Sequence, residues 1–191
     1  MTRIALAALL AMTFAGGAAA ADYTINANHT QVYFTYTHMG FSHITGRFTQ
    51  PSGHFDFDPA APTKSSIDVE LPMSSLSFGI APLDIDLSSE RFFDVAKFPT
   101  AHFKSNKVTS VGKNLLDVAG DLTIHGVTKP VVLHVTINGI GMHPMYKIPA
   151  AGFDATATIK RSAFGIGGLM MAATDEVNLR ITMEAQQTVV H

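Results

Sequence analysis

Residues 118–137 alternate between apolar and polar positions on both sides of a short break. Leu122 and Ile124 occupy alternate positions, and therefore one face of a strand, before the break at 126–129. Leu133 belongs to the apolar set of alternate positions after the break. Strict period-2 alternation in two runs joined by a turn predicts a β-hairpin with two chemically different faces. We therefore expect this segment to lie in a sheet with one apolar face.

The same alternation recurs along most of the chain. It predicts eight strands, over 23–38, 46–57, 65–73, 101–108, 114–124, 130–137, 152–161 and 176–186, and one short helix over 83–96. A chain made almost wholly of such strands must close its sheet or stack it, and eight antiparallel strands suit a closed barrel. We interpret the fold as all-β: an eight-stranded antiparallel barrel with one helix.

The first twenty residues have the pattern of a secretory signal peptide. Arg3 is followed by an apolar run over 4–14, and Ala18 and Ala20 form an A-x-A cleavage signal. We expect cleavage near Ala20, a periplasmic location, and one domain over 21–191. The alternative, an uncleaved membrane anchor, stays open.

Composition narrows the chemistry. The chain has no cysteine, which excludes thiol catalysis and cysteine-ligated metal. Its formal charge of −2 argues against a nucleic-acid surface, which would need a basic stripe. Charged residues make up 15% of the chain, against about 25% in typical domains. This predicts either a large core or an apolar cavity.

No motif in the chain indicates catalysis or a metal. There is no G-x-S-x-G nucleophile motif, and His38, His43, His102 and His125 lack the close spacing of metal ligands. The pairs Asp56/Asp58 and Asp84/Asp86 lack the other oxygens of a calcium loop and suit a turn and a helix start. We expect no enzyme activity, no metal and no cofactor.

Four segments, in order along the chain, resemble one family. They are NHTQVYFTYTHMGFSHITGRF at 28–48, LSSERFFDVAKFPTAHFKS at 87–105, GDLTIHGVTKPVVLHV at 120–135 and GFDATATIKRSAFGI at 152–166. Together they resemble the YceI-like, polyisoprenoid-binding proteins, which are exported bacterial proteins with a lipocalin-like barrel. The segment over 76–86 departs from the family pattern, since Asp86 stands where a histidine is usual.

The resemblance implies binding and carriage, without catalysis, of a long apolar lipid inside the barrel: a polyisoprenoid, an isoprenoid quinone or a fatty amide. A prenyl tail requires a deep pocket of apolar side chains. Taking the more apolar strand face as the inner one, we predict that the ligand is lined by Val32, Phe34, Tyr36, Phe48, Phe55, Ile67, Val69, Leu71, Phe92, Phe103, Leu122, Ile124, Leu133, Val135, Phe153, Leu179 and Ile181. For any single residue, a packed core remains the alternative.

Three polar residues are candidates for head-group contacts. His38 and His125 lie in family motifs near predicted strand ends, where structural hydrogen bonding is the alternative role. Arg161 ends a strand before a glycine-rich connection, and it either binds a phosphate or carbonyl group or pairs with Asp94 or Asp154.

Other parts of the chain could control access to the ligand. Phe92 is predicted to face the cavity from the helix, while its neighbour Phe93 covers a strand. Met170 and Met171, after two glycines, form either a pliable lid or a loop folded onto the core.

Two other functions stay open. One is a filled-barrel interaction or stress-response module that works through an edge or a loop such as 142–149. The other, a lipid-processing enzyme, is less favoured. A homodimer and transient contact with a membrane or a membrane protein are further options.

Overall fold

The computed structural model describes residues 21–167 and 173–188. The predicted signal peptide over 1–20 lies outside these residues, as do Met170 and Met171, for which a lid and a loop folded onto the core were the alternatives.

Eleven strands and one α-helix make up the regular structure of the described residues. The strands are β1 Ala21–Ile25, β2 Gln31–His38, β3 Ser42–Phe48, β4 Ser52–Phe57, β5 Ser66–Pro72, β6 Leu76–Ser77, β7 Thr100–Gly112, β8 Leu115–Ile124, β9 Val127–Met142, β10 Pro149–Lys160 and β11 Glu176–Gln187. The helix, α1, is Ala81–Ser88. The all-β prediction is confirmed.

The strands form a closed antiparallel barrel. The order β1-β4-β5-β7-β8-β9-β10-β11 closes on itself because β1 also pairs with β11. β2 continues the line of β1 along the same edge of β11, after a break at the 3₁₀ turn Ala27–His29, and β3 continues into β4. The eight predicted strands are therefore present, with the first two divided by breaks.

The predicted hairpin forms with a tighter turn than expected. Its turn is His125-Gly126, whose φ angles of 53° and 73° suit a two-residue hairpin loop. β9 already begins at Val127, so Pro130 lies inside the strand, opposite Asp121. This is tolerated because the described part of β10 pairs with β9 from His134 onward, so no described strand needs a hydrogen bond from the other edge of β9 at Pro130.

The helix is shorter than predicted and lies earlier in the chain. α1 ends at Ser88 because Ser89 takes an extended conformation, and the prediction of a helix to residue 96 is wrong. The chain continues from Ser89 in successive turns, one of which has Asp94 at φ 44°. Leu87 is the buried residue of α1, so the helix has little apolar face to bind it to the barrel. No described helix has the length and hydropathy needed to cross a bilayer.

Two clusters of buried side chains lie in the barrel, and the larger one extends from Phe57, beside the start of β1, to Phe164 and Ile166, after the end of β10. Tyr23, Phe55, Phe57 and Phe153 pack as rings with centroids 5.2–5.7 Å apart in the half where β1 begins and β4 ends. The other group lies in the half closed by residues 73–99, and Phe34 and Tyr36 belong to it together with Met73 and Leu76.

Candidate functional site

A cavity lies inside the barrel, between and beside the two groups of buried side chains. The empty volume of this cavity, including the solvent-open part, is about 1310 Å³. The wall runs along the strands from Val108 and Leu116 to Ala101 and Ile124, so the space is long, and within a barrel of eight strands it is narrow. A narrow, deep space suits an extended chain better than a broad, flat molecule.

The wall of the cavity is apolar throughout. Among the described residues 27 line it, of which none is charged and three carry hydroxyl groups. The Thr30 hydroxyl donates to the Glu184 carbonyl, the Ser65 hydroxyl accepts from the Asp58 N–H, and the Ser66 hydroxyl donates to the Asp56 carboxylate. Because these hydroxyls are already engaged, the cavity offers a ligand almost only apolar contact.

Several lining side chains that point inward are only half-buried. Val69, Leu133 and Ile181 are examples, and each belongs to the inner parity of its strand. A close-packed core would bury such side chains fully. The filled-barrel interpretation predicted no cavity, and the structure contains one.

Fifteen of the seventeen predicted ligand-binding residues line this cavity, and they all come from the more apolar parity of their strands. They are Val32, Phe34, Phe48, Phe55, Ile67, Val69, Leu71, Phe103, Leu122, Ile124, Leu133, Val135, Phe153, Leu179 and Ile181. Whether they contact a ligand stays a prediction.

Tyr36 and Phe92 are the two exceptions. Tyr36 is buried in the cluster beside Phe78, with ring centroids 6.4 Å apart, and does not reach the cavity. Phe92 is buried beneath the Arg91 guanidinium, whereas Phe93 packs against both apolar clusters. The inward assignment of Phe92 is corrected for a physical reason: both residues follow the end of α1 and occupy turns.

Part of the cavity wall consists of residues that were not predicted from the sequence. Leu116, Val118 and Met183 line the cavity and have the same parity as predicted neighbours, so the alternation could have identified them. Ala101 and Ala155 also line it, but their small side chains gave no signal.

The two candidate histidines lie outside the cavity wall. His38 ends β2 and bridges to Ala173 through the backbone. His125 forms the β8–β9 turn, and its ring meets the Phe98 ring edge-on with centroids 4.5 Å apart. This contact gives His125 a structural role in holding the turn against the 89–99 segment.

The Arg161 side chain is hydrogen-bonded to backbone carbonyls and does not line the cavity. Its guanidinium donates to the carbonyls of Ile166, Gly167, Ala173 and Thr174 at 3.0–3.1 Å. Asp94 and Asp154, the alternative partners suggested by the sequence, are not among its contacts within the described residues. Arg161 thus ties together the two ends of the connection between β10 and β11.

The described residues contain no group of three or more His, Asp or Glu side chains placed to hold a metal ion. The two acidic pairs serve local structure. Asp58 accepts from the N–H groups of Ala60 and Ala61, and Asp84 accepts from the Phe78 N–H.

A closed eight-stranded barrel around an apolar cavity defines a lipocalin-like barrel protein. The chain belongs to the YceI-like family: the model of the YceI-like domain matches residues 23–185. The resemblance found in the sequence is thereby confirmed.

Relatives match over nearly the whole chain. A UPF0312 protein of Pseudomonas syringae pv. tomato is 44% identical, with 96% of this chain and 95% of the relative covered. A UPF0312 protein of Vibrio cholerae is 38% identical, with 96% of each chain covered.

Solved structures share the fold. Burkholderia cenocepacia BcnA has a TM-score of 0.76 and 25% identity, over 84% of this chain and 98% of that one. The Campylobacter jejuni YceI protein has a TM-score of 0.72 and 29% identity, over 80% and 90% of the two chains. A polyisoprenoid binding domain from Saccharophagus degradans has a TM-score of 0.67 at 15% identity, over 87% and 98%, and this likeness shows the fold alone.

Proposed function

We propose that the protein binds a long apolar lipid inside its barrel and carries or buffers it in the periplasm. A polyisoprenoid, an isoprenoid quinone or a fatty amide fits this proposal. The observation that carries it is the narrow cavity: its 27 lining residues in the described part of the chain include no charged side chain, and their three hydroxyl groups are already hydrogen-bonded. The polyisoprenoid binding described for the Saccharophagus degradans domain, which has the same fold, supports the choice of ligand class.

Apolar contact suffices to retain such a ligand. At a limit of about 0.3 kcal/mol per heavy atom, a chain of roughly 40 carbons can gain at most about −12 kcal/mol, which corresponds to near-nanomolar affinity. A strong head-group site is therefore not required, in keeping with the positions of His38, His125 and Arg161 outside the cavity wall.

The first experiment identifies the ligand. Protein purified from its own cells without detergent is extracted with organic solvent, and the extract is examined by mass spectrometry. We expect one prenyl or acyl species in near-stoichiometric amount. Protein that is folded, free of lipid and unable to take up prenyl compounds would contradict the proposal.

A matched pair of variants tests whether the cavity holds the ligand. Leu133 lines the cavity, while its neighbour Val132 is 42% exposed on the outer face of the same strand. Leu133→Trp fills part of the narrow space and should lower the bound lipid severalfold or more. Val132→Trp adds the same bulk outside and should leave lipid content unchanged.

We expect no catalysis. A lipid-processing enzyme is the alternative, and prolonged incubation with a prenyl phosphate tests it. Recovery of the unchanged compound is expected, and protein-dependent release of phosphate would favour the enzyme.

A further inference from the structure

Two hairpin tips extend from the same end of the barrel. They are residues 107–116, around the β7–β8 turn, and residues 138–149, around the β9–β10 turn, and we call them the tip hairpins. They lie together because β8 begins at the end toward which β9 runs. The cavity extends into this half, since Val108 and Leu116 line it.

The second tip hairpin exposes apolar side chains. Ile140, Met142, Met145 and Tyr146 are 46%, 62%, 76% and 57% exposed. β8 begins at Leu115, opposite Thr136, and the Ile137 N–H still donates to the Asn114 carbonyl. Beyond Ile137, no described strand pairs with that edge of β9. Four exposed apolar side chains within seven residues need an explanation, because soluble surfaces seldom group them.

The loop that carries these side chains is held in shape. The His143 ring accepts from the N–H groups of Met145 and Tyr146 at 3.2 Å and stacks on the Tyr146 ring with centroids 4.5 Å apart. The backbone N–H of His143 donates to the Ile148 carbonyl, and that of Lys147 donates to the His143 carbonyl. Met145 and Tyr146 are thus presented from a preorganised loop.

The charge of the tip hairpins differs from that of the chain. They contain Lys107, Lys113 and Lys147, in a chain with a formal charge of −2. Two carboxylates lie beside them: Asp117, opposite Thr109 in the first hairpin, and Glu184, 3.8 Å from the His143 ring of the second. The turns themselves, over 110–116 and 138–149, carry Lys113 and Lys147 and no Asp or Glu. The opposite end is a natural contrast: it also exposes apolar residues, Phe41 at 92% and Ile85 at 73%, but Ile85 lies between two aspartates.

We propose that the tip hairpins dock the protein onto a bilayer surface that carries anionic phospholipids. Lysines attract such a surface, while Met and Tyr side chains insert at its apolar boundary. A second copy of the chain is a poorer occupant, because like-charged tips would face each other in a symmetric pair. The proposal rests on the proposed function, since a lipid carrier must exchange its ligand with a membrane.

Vesicle flotation tests the proposal. The full-length chain is expressed, purified as the cell processes it, and mixed with vesicles of phosphatidylcholine alone or with phosphatidylglycerol as about a third of the lipid. We expect flotation only with the anionic vesicles, weakened by added salt. Lys113→Glu with Lys147→Glu should lower the bound fraction at least about tenfold, since each lysine near such a surface contributes about fivefold.

Matched variants distinguish binding by the tip hairpins from binding by other parts of the surface. Lys129→Glu with Lys160→Glu makes the same charge change at the opposite end, where both side chains are exposed, and should bind like the wild type. Met142→Ser with Met145→Ser should weaken flotation, whereas Phe41→Ser with Ile85→Ser should not. All variants share one N-terminus, so differences among them do not depend on its processing.

The outcomes separate the two proposals. If the two double-lysine variants lose vesicle binding equally, or if the wild type does not float with the vesicles, docking by the tip hairpins is overturned. A concentration-dependent dimer that the tip variants abolish, without vesicle binding, overturns it in favour of a second copy. Uptake of a prenyl compound from detergent-free solution is measured in parallel: uptake without flotation removes only the docking proposal, and flotation without uptake removes only the carrier proposal.

Discussion

At the scale of single residues, the closeness of neighbouring strands decides which side chains are tolerated. Gly120 belongs to the inner parity of β8, between the cavity-lining Val118 and Leu122. A Cβ atom at Gly120 would come within 2.4 Å of the Lys104 carbonyl oxygen and 2.6 Å of the Phe103 ring. Since the first of these is backbone, the strands would have to move apart.

We predict that Gly120→Ala destabilises the barrel by roughly 1–3 kcal/mol, the usual cost of overpacking. Urea unfolding followed by circular dichroism measures it. Gly139→Ala is the control, because nothing lies within 4 Å of a Cβ atom at Gly139 in β9. Equal stability of the two variants would contradict the crowding at Gly120.

The carboxylate of Asp68 is the clearest source of pH dependence. The Lys104 ammonium, 2.9 Å away, and then the His102 ring donate hydrogen bonds to it and hold the pKa of this carboxyl below its ordinary value. A lowered pKa in the folded state stabilises the fold above the ordinary Asp pKa, and this contribution is lost as the pH falls through the lower folded value.

We therefore predict that Asp68→Asn lowers the free energy of unfolding at pH 6 but not at pH values below the folded pKa. Because the Asp68 side chain is 44% exposed, the loss at pH 6 should be small, about 0.2–1 kcal/mol. Urea unfolding of wild type and variant across this pH range measures it. The same deficit at both ends of the range would indicate lost packing and would contradict the electrostatic account.

At the scale of elements, the strands could be predicted from the sequence because their period-2 alternation records which side faces the barrel interior. The parity of Leu122 and Leu133 was enough to place both in the cavity wall. The turns could not be predicted in the same way, because they depend on backbone conformations that the apolar–polar alternation does not specify. The left-handed φ of His125 let β9 begin before Pro130, and the extended Ser89 ended α1 before Phe92.

The connection between β10 and β11 is another element that the sequence did not resolve. Arg161 was a head-group candidate because a cation before a glycine-rich segment suits a phosphate. In the structure its planar guanidinium reaches four carbonyls on both ends of the connection. This role depends on where the chain returns, which local sequence does not specify.

We predict that Arg161→Lys loosens this connection while the barrel stays folded. A single ammonium cannot replace the fork that spans the carbonyls of Ile166 and Thr174. Amide hydrogen exchange should become at least about tenfold faster at Gly165, Ile166 and Thr174, as expected for local opening. Arg180→Lys, on the exposed face of β11, is the control and should leave these amides unchanged.

At the scale of the whole molecule, a hollow barrel gives up packing that a filled one would have. Half-buried inner side chains such as Val69 and Leu133 keep part of their surface open to the cavity, where they make fewer contacts than in a filled core. A ligand chain would supply those contacts, so its binding should be visible as added stability of the whole barrel. The sequence could indicate this apolar interior but not the empty volume, which depends on how all eight strands close.

We predict that a prenyl ligand at about 100 times its Kd raises the free energy of unfolding by about 2.7 kcal/mol. For a domain of this size this is a rise in Tm of roughly 5–10 °C, measured by calorimetry on lipid-free and loaded protein. Val132→Trp should show the same rise. Leu133→Trp should show little, because its indole occupies the space that the ligand would fill. An equal rise in both variants would mean that the ligand binds elsewhere, for instance at the exposed tip hairpins, and that the cavity is not its site.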